Sequence, residues 1–347
     1  MRVLPSVTIT STKPPGYSLL LHQRSNIMLT ISPRFEWRTE IRNRLFFQKN
    51  NTTDTAFVQS LSNPIGYFTG DKISRLGSNV LWSMNVDRFW LSIKHRQWNL
   101  VLGRQRIHWG NAVVWSPNDI FQSNDLSDID YVERPGADGF WWKCQVGKTA
   151  RVELAGILGK EVNKPVLGAR YFFNYRGVDG QLIAAIANQQ PTIGAGFAVG
   201  TGRWMNRAEV QYRKTTTGPS WQTALETETM LLNKSIIGVA LLYNSRGQTS
   251  ATADTADFVL RTTPEQIMPT RWSGLCRVNY EINPLLRVHT TVVYTPGPGF
   301  FFVQAALQDD IGKNTEYGIF IQTGLRSRSA PWSVDFFRVL LRVSYSF

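Results

Sequence analysis

Arginine and glutamate occupy every second position along Arg34, Glu36, Arg38, Glu40, Arg42 and Arg44, and Phe35, Trp37, Ile41, Leu45 and Phe47 stand between them. Such a row puts permanently charged guanidinium forks on one face of an extended chain, a chemistry suited to attracting anions. The spacing recurs downstream, where Arg170, Arg207, Arg277, Arg287, Arg338 and Arg342, with Lys143, Arg151, Arg213 and Arg271, alternate with mostly apolar neighbours. Acidic residues in matching positions are fewer: Glu36, Glu40, Glu153, Glu209, Glu226, Glu228, Glu281 and Glu316. Most of these charges are expected to pair across strands. Any cationic excess lining a narrow aqueous passage would exclude cations and concentrate anions.

A second group lies in the segment Gly103–Trp142, which is rich in Trp and carries Asp119, Asp125, Asp128, Asp130 and Glu133. Clustered carboxylates could take Ca²⁺, but their spacing is not that of an EF-hand loop and lacks its glycine. Caps and ion pairs with Arg104, Arg106 and Arg134 are the simpler reading, so no cofactor is expected. His108 has no second histidine nearby to complete a metal site, and Gly103-Arg-Gln leads into no helix, so it is no phosphate loop. His289, beside Thr290 and Thr291, is the one strand-borne histidine that could serve a lipase-like serine–histidine pair. It falls on the arginine-bearing face and no serine is placed with it, so an enzyme is not expected. Cys144 and Cys276 have no metal-ligand spacing and read as small buried hydrophobes rather than a disulfide.

The elements that must carry these residues are strands. From Phe336 to the end the sequence reads FFRVLLRVSYSF, with Phe337, Val339, Leu341, Val343, Tyr345 and Phe347 at every second position and Arg338, Arg342, Ser344 and Ser346 between them. A period of two is the mark of a strand. An apolar face that is aromatic up to the chain's last residue suits the closing strand of a membrane barrel better than a soluble sheet. Similar segments begin near residue 34 and recur to the end, about sixteen in all (range 14–18), with a break in alternation near Asp87 that suggests a bulge. If the last strand descends, the short links His95–Gln97, Val146–Lys148, Gly177–Gly180, Asn233–Lys234 and Ile282–Pro284 fall at the periplasmic end. The long segments 49–78, 108–138 and 246–270 then fall outside, as in outer-membrane barrels. Residues 34–347 are therefore expected to form an all-β, up-and-down transmembrane barrel. Residues 1–33 would be a periplasmic or lumenal segment, or add strands, and 254–262 could add another.

The bulk properties agree. The chain has 347 residues, a net charge of +13 and 12% aromatic residues. Apolar runs such as Leu182–Ala187 fall far short of the ~20 residues that a spanning helix needs. The arginines alternate rather than cluster, which argues against nucleic acid as the partner of this positive charge. Residues 1–33 show no apparent export signal, although an outer-membrane protein requires one.

Within the long segment, GRQRIHWG (Gly103–Gly110), WSPNDIF (Trp115–Phe121) and the Asp128–Gly136 element DIDYVERPG resemble a group of uncharacterised, porin-like outer-membrane barrels of Gram-negative bacteria, common in Bacteroidota. The aromatic C-terminus likewise resembles the signal read by the bacterial barrel-assembly machinery. The resemblance implies an outer-membrane barrel with a pore-associated loop; it supplies no substrate. A loop so long and aromatic is expected to fold back and constrict the pore through Arg106, His108, Trp109, Trp115, Asp119, Asp128, Asp130, Glu133 and Arg134. Trp109, Trp115, Ile120 and Phe121 would pack on the wall, and the acids would pair with lumen arginines. The expected function is a porin-like channel for small hydrophilic solutes with an anion preference. The alternatives are a non-conducting scaffold or export accessory and, less favoured, a lipase-type enzyme. The expected partners are outer-membrane lipid, the assembly machinery and the solute, with the oligomeric state open.

Overall fold

The computed structural model describes residues 1–10, 14–49, 57–58, 61, 67–68, 70–121, 136–159, 165–231, 234–249, 265–297, 299–312, 314–327 and 332–346. Alternating residues condense into strands wherever one face can be polar and the other apolar. The first six are β1 (Arg2–Thr10), β2 (Gly16–Ser32), β3 (Phe35–Lys49), β4 (Lys72–Gly77), β5 (Val80–His95) and β6 (Trp98–Gln105). Next come β7 (Ala137–Val146), β8 (Ala150–Ile157), β9 (Val166–Tyr175), β10 (Val178–Ala187), β11 (Gln190–Thr201) and β12 (Trp204–Thr215). The last are β13 (Gly218–Leu231), β14 (Ser235–Asn244), β15 (Trp272–Glu281), β16 (Leu286–Thr295), β17 (Phe300–Ile311), β18 (Thr315–Arg326) and β19 (Ser333–Tyr345).

Neighbours pair antiparallel, and β1 closes the ring by pairing with both β2 and β19, with Val3 opposite Val343 and Ile9 opposite Phe337. Closure leaves the sheet no edge, the condition for crossing a bilayer with strands. The ring has eighteen members, because β4 pairs only with the first part of β5, on the edge that β6 occupies from Phe89 onward. The sequence indicates about sixteen strands, which correspond to β3 and β5 through β19; the added pair is β1 and β2. Pro5, Pro14 and Pro15 punctuate this stretch as loop does, and Gln23 and Ser25 interrupt the apolar set of β2. The stretch near 254–262 lies outside the described residues.

At one end of the ring every connection has two to four residues, at 33–34, 96–97, 147–149, 176–177, 202–203, 232–234, 282–285 and 312–314, whereas the other end mixes short links such as 188–189 and 216–217 with all of the long connections. The five short links expected at one end all lie at the first. Arg96 and Arg176 take φ of 43° and 51° there, the left-handed twist that two-residue hairpins demand. The extra residue near Asp87 is a bulge: Glu40 pairs with Arg88 and Ile41 with Val86, which leaves Asp87 between them.

Side-chain parity follows the alternation. On β19, Phe337, Leu341, Val343 and Tyr345 are exposed on the outside, whereas Arg342 is buried on the lumen side and Leu340 packs inward against Phe320 and Ala306. Cys144 and Cys276 are free thiols, Cys144 half-buried and Cys276 exposed, rather than the buried hydrophobes expected. Phe347 lies outside the described residues. Placing arginine at Leu341 is expected to destabilise the barrel by about 2–4 kcal/mol near the bilayer midplane, and Ser344→Arg to do little. Denaturant titration of the protein refolded in lipid vesicles measures both.

Candidate functional site

Between β6 and β7 the chain leaves the wall and enters the lumen. The departure is built into backbone and charge. Gly103 holds φ at +111°, and a side chain there would collide with the Phe89 carbonyl. Beside it the Arg104 guanidinium makes a two-pronged contact with Asp138, Nε to Oδ1 at 2.9 Å and Nη2 to Oδ2 at 2.8 Å. Arg104 also donates to the Val86 carbonyl at 2.9 Å, next to the Asp87 bulge. The pair is buried, 4% and 6% exposed, and clamps both ends of the loop. Replacing Arg104 by leucine strands a buried carboxylate and is expected to cost about 3–5 kcal/mol, whereas Arg104→Leu with Asp138→Leu should recover most of it. Thermal unfolding in detergent compares the two variants.

Residues 106–121 then cross the interior against the wall. Ile107, Trp109, Ile120 and Phe121 pack on Ala137, Ala155, Ile157, Val166, Ile183 and Ala187 of β7 to β10. Farther along, Val114 and Trp115 join Ala224, Leu242, Leu275, Val293, Phe300 and Phe302 of β13 to β17. Ile267 and Met268 enter the same cluster from the β14–β15 connection, so two of the long connections meet inside the ring. Leu61 of the β3–β4 connection also turns inward, and its carbonyl accepts from Arg44 at 3.2 Å and Asn85 at 3.0 Å. The wall makes room with small residues. A Cβ on Gly168 would come within 2.8 Å of the Trp109 ring, and one on Gly194 would collide with the Asn118 side chain.

Three wall glutamates fix the segment. Glu209 of β12 accepts from the Ala112 amide at 2.8 Å, the Asn118 amide at 3.0 Å, the Ser116 hydroxyl at 2.8 Å and the Asn111 amide. Glu226 of β13 accepts from the amides of Val113 at 2.8 Å and Val114 at 3.2 Å. Glu153 of β8 accepts the indole N–H groups of Trp109 at 2.8 Å and Trp141 at 2.9 Å. A loop without secondary structure must satisfy its buried amides elsewhere, and these carboxylates do so. The sequence points to these glutamates as partners for arginine. Their anchoring role escapes it because a backbone amide donor has no signature of its own.

The remaining charges form an uneven balance. Glu40 serves both Arg24 and Arg38, and Glu153, besides its two indoles, serves Arg151 and Arg170, the latter at 3.9 Å. Arg207 and Arg277 share Glu228 at 2.7 and 2.6 Å and Glu226 at 3.8 and 3.2 Å. Arg42 meets Asp87 at 3.4 Å, Arg287 meets Asp310 at 2.6 Å, Arg342 meets Glu316, and Arg338 donates to the Thr8 hydroxyl at 3.1 Å. Across the strands Arg24 stands directly opposite Arg42, and His22 opposite both Arg2 and Arg44. Arg24 opposite Arg42 is a like-charge pair, which costs stability and adds positive potential on β2 and β3.

Other expected site residues fall differently. Arg34 is exposed in the short turn before β3, at the rim rather than on the wall, and Arg106 is exposed where the loop begins. Asp119 faces His108, Nδ1 to Oδ2 at 2.7 Å. Asp125, Asp128, Asp130, Glu133 and Arg134 lie outside the described residues. Among the described residues no group of three or more His, Cys, Asp or Glu side chains is placed to hold a metal. His289 lies beside Asn279, its Nδ1 2.9 Å from the amide oxygen.

The fold and its inward loop define a class of protein, the closed antiparallel membrane barrel with a lumen narrowed by its own connections. No family model and no curated protein matches the chain. Solved structures do. OpdQ of Pseudomonas aeruginosa matches with a TM-score of 0.62 at 8% identity, covering 99% of this chain and 96% of its own. OpdK of the same organism, in a structure with vanillate, gives 0.61 at 9% identity over 99% and 96%. OccAB4 of Acinetobacter baumannii gives 0.59 at 10% identity over 99% and 95%. At such identities the likeness establishes the barrel fold over nearly the whole chain. It supports neither a Bacteroidota affiliation nor the loop motifs as family marks.

Proposed function

We propose that this chain is an outer-membrane channel of a Gram-negative bacterium that passes small hydrophilic solutes and favours anions. The observation that carries this reading is the fate of the lumen carboxylates. Glu209 is spent on loop amides and Glu153 and Glu226 are divided between the loop and arginines, so the guanidinium groups they leave dominate the passage. Fixed positive charge in a narrow, partly desolvated passage concentrates anions and repels cations. The inward segment 106–121 sets the size limit, and the apolar outer face meets lipid.

The short-turn end is the periplasmic one, and the chain terminus there is read by the barrel-assembly machinery. Vanillate, present in the OpdK structure, is a small aromatic carboxylate and so belongs to the class of solute proposed. The finer placement, among porin-like barrels marked by the GRQRIHWG and WSPNDIF elements, rests on the resemblance of those residues. Swelling of proteoliposomes tests the reading: small carboxylates should enter faster than organic cations of equal size, and equal rates would reject the anion preference.

A further inference from the structure

The outer face carries one feature that a channel alone does not require. Gln23 of β2 and Asn43 of β3 are directly opposite one another, and both point outward, since Arg42 and Arg44 on either side of Asn43 point into the lumen. Asn43 donates to the Gln23 side-chain oxygen at 2.9 Å, and Gln23 donates to the Ser25 hydroxyl at 2.6 Å. The group lies in the middle of the apolar belt. Trp37 and Phe89 flank it toward the short-turn end, and Tyr17, Phe47 and Trp82 toward the other. The one other outward asparagine or glutamine on the described strands, Asn206, sits two residues from a short turn, where it bonds Thr201 and Thr227.

Two amides hold four N–H donors and two carbonyl acceptors. The two bonds described use two donors and one acceptor, and hydrocarbon supplies no partners for the rest. A lipid-facing position at this depth would ordinarily be apolar. We infer that the outward face of β1 to β5 is an interface with a second copy of this chain. The occupant follows from the chemistry. A patch presenting donors and acceptors side by side complements itself across a two-fold axis, so Gln23 and Asn43 of one copy meet Asn43 and Gln23 of the other. Among lipid-facing contacts, such polar side chains favour association because their alternative is an unpaired group in hydrocarbon.

The test starts from a Cys144→Ala, Cys276→Ala background, which removes the native outward thiols, and adds Gln23→Cys. Oxidation in lipid vesicles should yield a disulfide dimer of twice the monomer mass, and a control Leu182→Cys variant, with its thiol on the far side of the ring, should not. Separately, Gln23→Leu with Asn43→Leu should fold, because leucine suits the lipid face. It should weaken dimerisation about tenfold or more, read by sedimentation in detergent at falling protein concentration. A wild-type monomer at all concentrations, with no cross-link in the Gln23→Cys variant, overturns the inference. So does a dimer that the double leucine variant leaves unchanged, or a cross-link to a product of another mass. None of these outcomes bears on conductance.

Discussion

Replacing residues 107–121 by a short Gly-Ser linker is expected to raise single-channel conductance severalfold. The segment fills lumen that an eighteen-strand ring would otherwise leave open to water. Its aromatic residues contact the wall from β7 to β17, so the replacement clears most of the diameter. The barrel should still close, because the pairing of β1 with β19 and the ladders around the ring do not pass through the loop. Selectivity should move as well. Glu153, Glu209 and Glu226 lose their loop donors and turn charged oxygens toward water, so the anion preference should fall as conductance rises. Adding Glu209→Gln and Glu226→Gln should restore much of that preference without narrowing the pore. Conductance unchanged by the replacement would show that the segment does not constrict the path.

The second large effect is expected from charge. Arg38, Arg287 and Arg338 are each partly open to the lumen, and neutralising all three with glutamine should move the reversal potential toward that of cations. Arg42 is a poor substitute, since it is buried against Asp87 and its loss would leave that carboxylate without its cation, a stability defect rather than a selectivity probe. Salt should diminish the contrast between wild type and variant, because the Debye length falls to ~3 Å at 1 M. A reversal potential unmoved at low salt would mean that these arginines do not set the selectivity.

Much of the architecture was legible because a barrel strand is specified residue by residue. Wherever apolar and polar side chains alternate cleanly, as in β3 and β19, strand, face and direction can be read together. The same rule accounts for what was missed. In β2 the outward positions include Gln23 and Ser25, so the alternation fades at the place where the outer face departs from a simple lipid contact. β4 has six residues, too few to show a period. The inward course of the loop could be argued from its aromatic content, since Trp109, Trp115 and Phe121 need a surface to cover. The anchors could not be found that way. Glu209 on β12 looks like any wall glutamate, and only the folded chain brings it to the amides of Ala112 and Asn118. The glycines were likewise silent: Gly168 and Gly194 show their purpose only in the folded chain, where a Cβ would meet the Trp109 ring or the Asn118 side chain.

The most direct measurement is the reversal potential of the wild-type channel in a planar bilayer under a KCl gradient at low salt. A conducting pore whose reversal potential takes the sign of the chloride equilibrium potential is the expected result. A cation-signed potential, or no conductance from correctly folded protein, would contradict it.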